Sequence, residues 1–117
     1  MLRTLLKSKI HRGRVTEANL YYEGSITIDA KLMQAVDIIE GEKVEVFNLN
    51  NGQRLETYAI YGKPGSGIIC LNGPAARGAC AGDEVIIVSY VLANDQEAKK
   101  IKPKIIKVNE RNRIIKN

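Results

Sequence analysis

The 117-residue sequence has no tryptophan, one phenylalanine, one histidine, two cysteines, two methionines and three prolines. One histidine and two cysteines, Cys70 and Cys80, are too few soft ligands for an ordinary zinc site, and the cysteines lack CxxC spacing. Two cysteines give no disulfide framework and are expected to pack as small hydrophobes. Long apolar runs are also missing. The longest, Val85 to Val88, continuing through Ser89-Tyr90 to Val91-Leu92-Ala93, is too short to span a bilayer, and the N-terminus carries no apolar h-region. These absences point to a cytoplasmic, soluble protein. A transit peptide would be basic like residues 1–16, but also serine-rich, which they are not. With so few aromatics, an aliphatic core is expected in one domain spanning 1–117.

A net charge of +5 raises the question of nucleic acid. The excess lies beyond Asn94, where eight Lys/Arg stand against three Asp/Glu; residues 1–93 carry ten of each. A basic segment at 95–117 without interleaved aromatics reads as a solvated tail rather than a nucleic-acid reader.

What the chain has in quantity is short extended segments punctuated by glycine. Residues 1–16 alternate as a strand that sets Lys7, Lys9 and His11 on one face, either an anion-binding face or a charged edge that discourages aggregation. Ile26 to Ile28 reads as a strand, and Asp29 as the N-cap of a helix burying Leu32, Met33 and Val36. Val44–Leu49 and Arg54–Tyr61 form a hairpin about Asn50-Asn51-Gly52. Lys63–Gly67 is a turn, Ile68–Leu71 a strand, and Asn72–Gly82 a run of small residues. Glu84–Leu92 is the most apolar strand, and beyond it only Lys104–Val108 looks strand-like. Short strands with one or two brief helices predict a compact, mainly β barrel.

Tyr22-Glu23-Gly24-Ser25 carries the candidate chemistry. A serine hydroxyl can attack the preceding carbonyl carbon and convert amide to ester; elimination then cleaves the chain, and the resulting dehydroalanine loses ammonia to water to leave a pyruvoyl group. Gly24 has no Cβ to block the attack. Gly65-Ser66 offers the same dipeptide, and on the residues alone either is equally a turn.

Residues 1–16, Tyr22-Glu23-Gly24-Ser25, Asn51-Gly52 with Arg54, Thr57-Tyr58-Ala59-Ile60 and Asn72-Gly73-Pro74-Ala75-Ala76 together, in order and spacing, resemble the pyruvoyl-dependent aspartate 1-decarboxylases over roughly residues 1–95. Phe47 stands where many members have tryptophan, and Pro74 where alanine is common. The resemblance implies a double-psi β-barrel, assembled as a homotetramer with active sites between subunits and self-cleaved between Gly24 and Ser25 into residues 1–24 and 25–117. It implies decarboxylation of L-aspartate to β-alanine for pantothenate biosynthesis, and leaves room for an accessory maturation factor. The cofactor is then the covalent pyruvoyl group made from Ser25, whose ketone forms a Schiff base with the substrate amine; neither a metal nor pyridoxal phosphate is expected.

Individual roles follow. Tyr58 is the candidate proton donor after CO2 leaves, because a phenol keeps its proton at neutral pH and can deliver it to a carbanion-like centre. Arg54 can hold a carboxylate by two parallel hydrogen bonds, and Lys9 adds a point charge. Alternation sets Arg54 and Tyr58 on one strand face and turns Thr57, a substrate contact in the family, to the other unless a bulge or its backbone serves. Asn72, Gly73, Pro74 and Ala75 resemble the substrate loop, although Pro74 has no N–H to offer. The alternative class is a non-enzymatic double-psi barrel serving as an interaction or DNA-binding module.

Overall fold

The computed structural model describes residues 1–116. Its strands are β1 (Leu2–Arg14), β2 (Glu17–Asn19), β3 (Ser25–Asp29), β4 (Lys43–Asn48), β5 (Arg54–Gly62), β6 (Ile69–Asn72), β7 (Glu84–Asn94), β8 (Lys104–Val108) and β9 (Ile114–Ile115), with helices α1 (Ala30–Ala35) and α2 (Asp95–Ala98) and a 3₁₀ helix at Gly73–Gly78. The strands run in the order β2-β6-β3-β5-β4-β7-β1-β8-β9, mixing antiparallel pairs with the parallel pairs β1·β8, β2·β6 and β3·β5.

Chain continuity joins the two halves of this order. Past β1, Thr16 N–H donates to the Ile69 carbonyl (2.8 Å), at the head of β6, while Val15 exchanges backbone hydrogen bonds with Gly82 and Asp83. The β1–β2 passage thus crosses from one side of the sheet to the other and rolls it around the core. Gly13 permits the crossing, since a Cβ there would lie 2.6 Å from Ile69 Cδ1. Inside are Ile10, Val15, Ile26, Ile28, Val44, Val46, Ile69, Leu71, Val85 and Ile87, aliphatic throughout, as the scarcity of aromatics predicts. Fully burying each such side chain contributes about 1.5–3 kcal/mol before chain entropy is subtracted.

The hairpin and the helix form where expected. Gly52, at φ +75°, turns the chain between β4 and β5, whose register runs unbroken from Phe47↔Arg54 to Lys43↔Tyr58. Asp29 Oδ1 accepts from Lys31 N (2.9 Å) to cap α1, and the buried carboxylate also takes Gly65 N (2.9 Å) and Gly67 N (2.8 Å). That turn uses Ser66 for itself, its Oγ donating to the Lys63 carbonyl and accepting from Ile68 N. Gly65-Ser66 is therefore part of a turn, as its residues allow.

Three expectations are corrected. The basic C-terminal segment is docked, not a solvated tail: β8 pairs in parallel with β1, Val108 joins the core, and buried Asn112 bonds Arg14 N, Arg14 O and Gly67 O. Lys7 does not share a face with Lys9 and His11. A bulge at Lys7 breaks the alternation, and its ammonium turns to the Asp37 carbonyl, to Ser8 Oγ and to Glu42 (3.1 Å). Cys70 is buried as expected, but Cys80 is exposed in the turn before β7.

Candidate active site

Three adjacent strands meet at the start of β3. The antiparallel β3–β6 register sets Ser25 opposite Asn72, and the parallel β3–β5 register pairs Ile26 with Ala59, so Tyr58 stands one residue back on β5 as Ser25 does on β3. Ser25 is 1% exposed. Its Oγ accepts from Asn72 Nδ2 at 2.9 Å and lies 3.5 Å from the Glu23 carbonyl as a donor. Asn72 Nδ2 also donates to Thr27 Oγ1 (3.0 Å), and Asn72 Oδ1 accepts from the Cys70 thiol (3.2 Å).

The glycine whose backbone demands glycine is Gly73, at φ +63°; Gly24 has no left-handed φ. A Cβ on Gly73 would come within 2.8 Å of the Tyr22 carbonyl and 2.9 Å of both Gly24 N and Cα, whereas one on Gly24 would meet only Pro74 Cδ at 3.5 Å. The segment that carries the Gly24–Ser25 peptide lies directly against Gly73, which is where the close approach is built.

Above this peptide opens a cavity of about 540 Å³ lined by Gly24, Leu55, Thr57, Tyr58, Pro74 and Ala75, among others. Thr57 is half-buried and Tyr58 42% exposed on a strand with regular alternation, and no bulge is needed for both to reach the cavity, because its wall follows β5 from Leu55 to Tyr58. Of the candidate residues, Gly24, Thr57, Tyr58, Pro74 and Ala75 line the cavity, and Ser25, Asn72 and Gly73 stand immediately behind.

Arg54 and Lys9 are not in this lining. The Arg54 guanidinium sits over the Phe47 ring, 4.1 Å from its centroid, a cation–π contact on the outward face of the β4–β5 pair. Lys9 lies on β1, between Val88 of β7 and Ile105 of β8. The cation that does line the cavity is Arg77, from the last turn of the 3₁₀ helix. Sequence reasoning missed it, since a single arginine in a run of glycine and alanine gives no periodic signal. Glu56 also lines the cavity and is paired with Lys43 (3.3 Å).

His11 lies in a separate cleft with Arg12, Arg14, Glu84 and Lys107. Burial first, then the charges of Lys9, Arg12 and Lys107, lower its pKa and favour the neutral imidazole. Among the described residues there is no group of three His, Cys, Asp or Glu side chains able to hold a metal ion, and no helix long and apolar enough to cross a membrane.

The aspartate decarboxylase family model matches residues 1–115. An aspartate 1-decarboxylase of Acetivibrio thermocellus is 59% identical over 115 residues, 98% of this chain and 91% of that protein. One from Thermoanaerobacter pseudethanolicus is 58% identical over 113 residues, 97% of each, and one from Listeria monocytogenes 57% identical over 114 residues, 97% of this chain and 90% of that protein. Among solved structures, two rationally designed double-psi β-barrel proteins align with TM-scores of 0.50. One is 19% identical, covering 66% of this chain and 90% of the design; the other is 22% identical, covering 74% and 96%. The fold is the double-psi β-barrel.

Proposed function

This chain belongs to the aspartate decarboxylase family, and from that premise we propose that it converts L-aspartate to β-alanine and CO2, using a pyruvoyl group made from its own Ser25. The observation that carries the reading is the buried Ser25 hydroxyl, held by Asn72 Nδ2 at 2.9 Å beside a Gly24 peptide that borders the cavity.

In the self-cleavage, Ser25 Oγ bonds to the Gly24 carbonyl carbon as the C–N bond breaks, and the hydroxyl proton ends on the freed amine. Loss of the Ser25 Cα proton then expels Gly24 as a carboxylate, and water replaces the nitrogen of the resulting enamine as ammonia departs. An N–H donor on Oγ favours the first step, because it stabilises the negative charge that grows there as the proton leaves. Gly73 supplies the room for the strand carrying this peptide to lie close.

The pyruvoyl group supplies an electrophilic ketone for the substrate amine and an electron sink for the bond to CO2. The residues fit such a group. Gly24, the neighbour of position 25, borders a cavity of about 540 Å³, ample for a four-carbon dicarboxylate, with Tyr58 and Thr57 on one wall and Pro74 and Ala75 on another, and cleavage after Gly24 frees position 25, buried just behind that lining. Tyr58 returns a proton to the α-carbon, and Thr57, Asn72, Gly73 and Ala75 contact the substrate. Aspartate brings two carboxylates, and Arg77 is the chain's own cation at that wall. Arg54 and Lys9 lie outside this cavity on outward faces of the barrel, a placement that suits a homotetramer in which they serve the site of a neighbouring copy. β-Alanine is a precursor of pantothenate, and the cytoplasm is the compartment for that pathway.

The test combines two measurements on purified protein: its intact mass and its conversion of L-aspartate to β-alanine. Two pieces, 1–24 and a pyruvoyl-capped 25–117, together with turnover, support the reading. One intact chain without turnover favours the non-enzymatic barrel.

A further inference from the structure

Asn72 reaches Ser25 with one end of a carboxamide whose two ends have nearly the same shape. The Ser25 and Thr27 hydroxyls can each donate or accept, so both would serve the amide either way round. The third partner is different. The Cys70 thiol lies 3.2 Å from Asn72 Oδ1, two residues back along β6, and a protonated thiol donates to the oxygen end. Cys70 is 5% exposed and faces Glu17 across the parallel β2–β6 pair. Burial, then the neighbouring Glu17 carboxylate, raises the thiol pKa, which keeps the proton on sulfur.

We propose that Cys70 is a positioning residue for self-cleavage: its thiol proton holds the Asn72 carboxamide with the NH2 end on Ser25 Oγ. With the amide reversed, a carbonyl oxygen would face Oγ, and its partial negative charge would oppose the charge that develops on Oγ during attack on Gly24. The inference rests on the reading that the chain cleaves between Gly24 and Ser25.

Cys70→Val and Cys70→Ser separate hydrogen bonding from packing. Valine fills the space of the thiol without a donor, whereas serine keeps the donor and is smaller and more polar. The rate of conversion of precursor into two pieces is followed by intact mass for wild type and both variants, with thermal midpoints measured in parallel. Cys70→Val is expected to fold and to cleave about tenfold more slowly, and Cys70→Ser to cleave within about threefold of wild type. A Cys70→Val variant as fast as wild type overturns the inference, as does equal slowing in both variants, which would mark the role as packing. An uncleaved wild type overturns the self-cleavage reading and this inference with it; a cleaved wild type with an equally fast Cys70→Val overturns the inference alone.

Discussion

Gly73 and Gly24 touch backbone to backbone: a Cβ on Gly73 would lie 2.9 Å from Gly24 Cα and the same distance from Gly24 N. Gly73 also has φ +63°, where an L-residue is strained. Gly73→Ala should therefore cost about 1–2 kcal/mol in backbone strain alone and push the Tyr22–Gly24 segment off the site. The expected outcome is a lowered thermal midpoint and an uncleaved chain, whereas Gly24→Ala, whose Cβ meets only Pro74 Cδ at 3.5 Å, should fold normally. A Gly73→Ala variant with wild-type midpoint and cleavage would contradict this geometry.

Tyr58→Phe keeps the ring at the cavity wall and deletes the proposed proton donor. It should mature into two chains and lose β-alanine formation by about 10²–10⁴, the range of general-acid contributions. Residual activity within about threefold of wild type would hand the proton to water or another residue. An uncleaved Tyr58→Phe would assign its hydroxyl to maturation.

Arg54→Ala should cleave itself and lose roughly tenfold or more in catalytic efficiency, since hydrogen bonds to charged groups contribute about 1.5–3 kcal/mol. Because Arg54 lies outside the cavity of its own chain, stacked on Phe47, subunit mixing is the sharper measurement. Co-assembly of Arg54→Ala with Ser25→Ala should raise activity above the residual level of Arg54→Ala alone, through sites that draw Ser25 from one subunit and Arg54 from the other. Failure of mixed assemblies to exceed that level would remove Arg54 from a shared site.

The hairpin, the Asp29 cap and the inward-facing aliphatics were legible because each depends on neighbours in sequence: Asn51-Gly52, the acid before a helix, the alternation along a strand. The motifs at 22–25, 57–60 and 72–76 named the stretches that meet around the cavity. What brings them together is parallel pairing of β3 with β5, which joins segments distant in sequence and leaves no local signature. The same limit hid β2, three exposed residues without an apolar face, and β9. The tail misled because its lysines mask two anchoring side chains, Val108 and Asn112, that make sense only against β1 and Gly67.

Asn112 therefore gives a stability prediction. It donates to Arg14 O at 2.8 Å and Gly67 O at 2.7 Å, accepts from Arg14 N at 2.7 Å, and has φ +59°, which asparagine tolerates better than most residues. Asn112→Ala strands these groups and should cost about 2 kcal/mol or more, a fall of several degrees in thermal midpoint. An unchanged midpoint would return the tail to the status of a solvated appendage.

Asp83 accepts from Asn48 Nδ2 and from Cys80 N, both at 2.9 Å, and these two hydrogen bonds lower its pKa below the ordinary carboxylate value. A depressed folded pKa adds stability that is present above the unfolded value, about 4, and is lost as pH falls through the folded one. Acidification from pH 7 to 3 should consequently lower the thermal midpoint of wild type more than that of Asp83→Asn. Equal acid sensitivity in the two proteins would contradict the assignment.

Conversion of Ser25 into the electrophile of this enzyme leaves a signature in the intact mass of wild type beside that of Ser25→Ala. Wild type should separate into residues 1–24 and a pyruvoyl-capped 25–117, while Ser25→Ala, folded and with Asn72 still in place, should remain one chain without decarboxylase activity. Cleavage of Ser25→Ala after Gly24, or turnover of aspartate by wild-type protein that stays a single intact chain, would contradict the account.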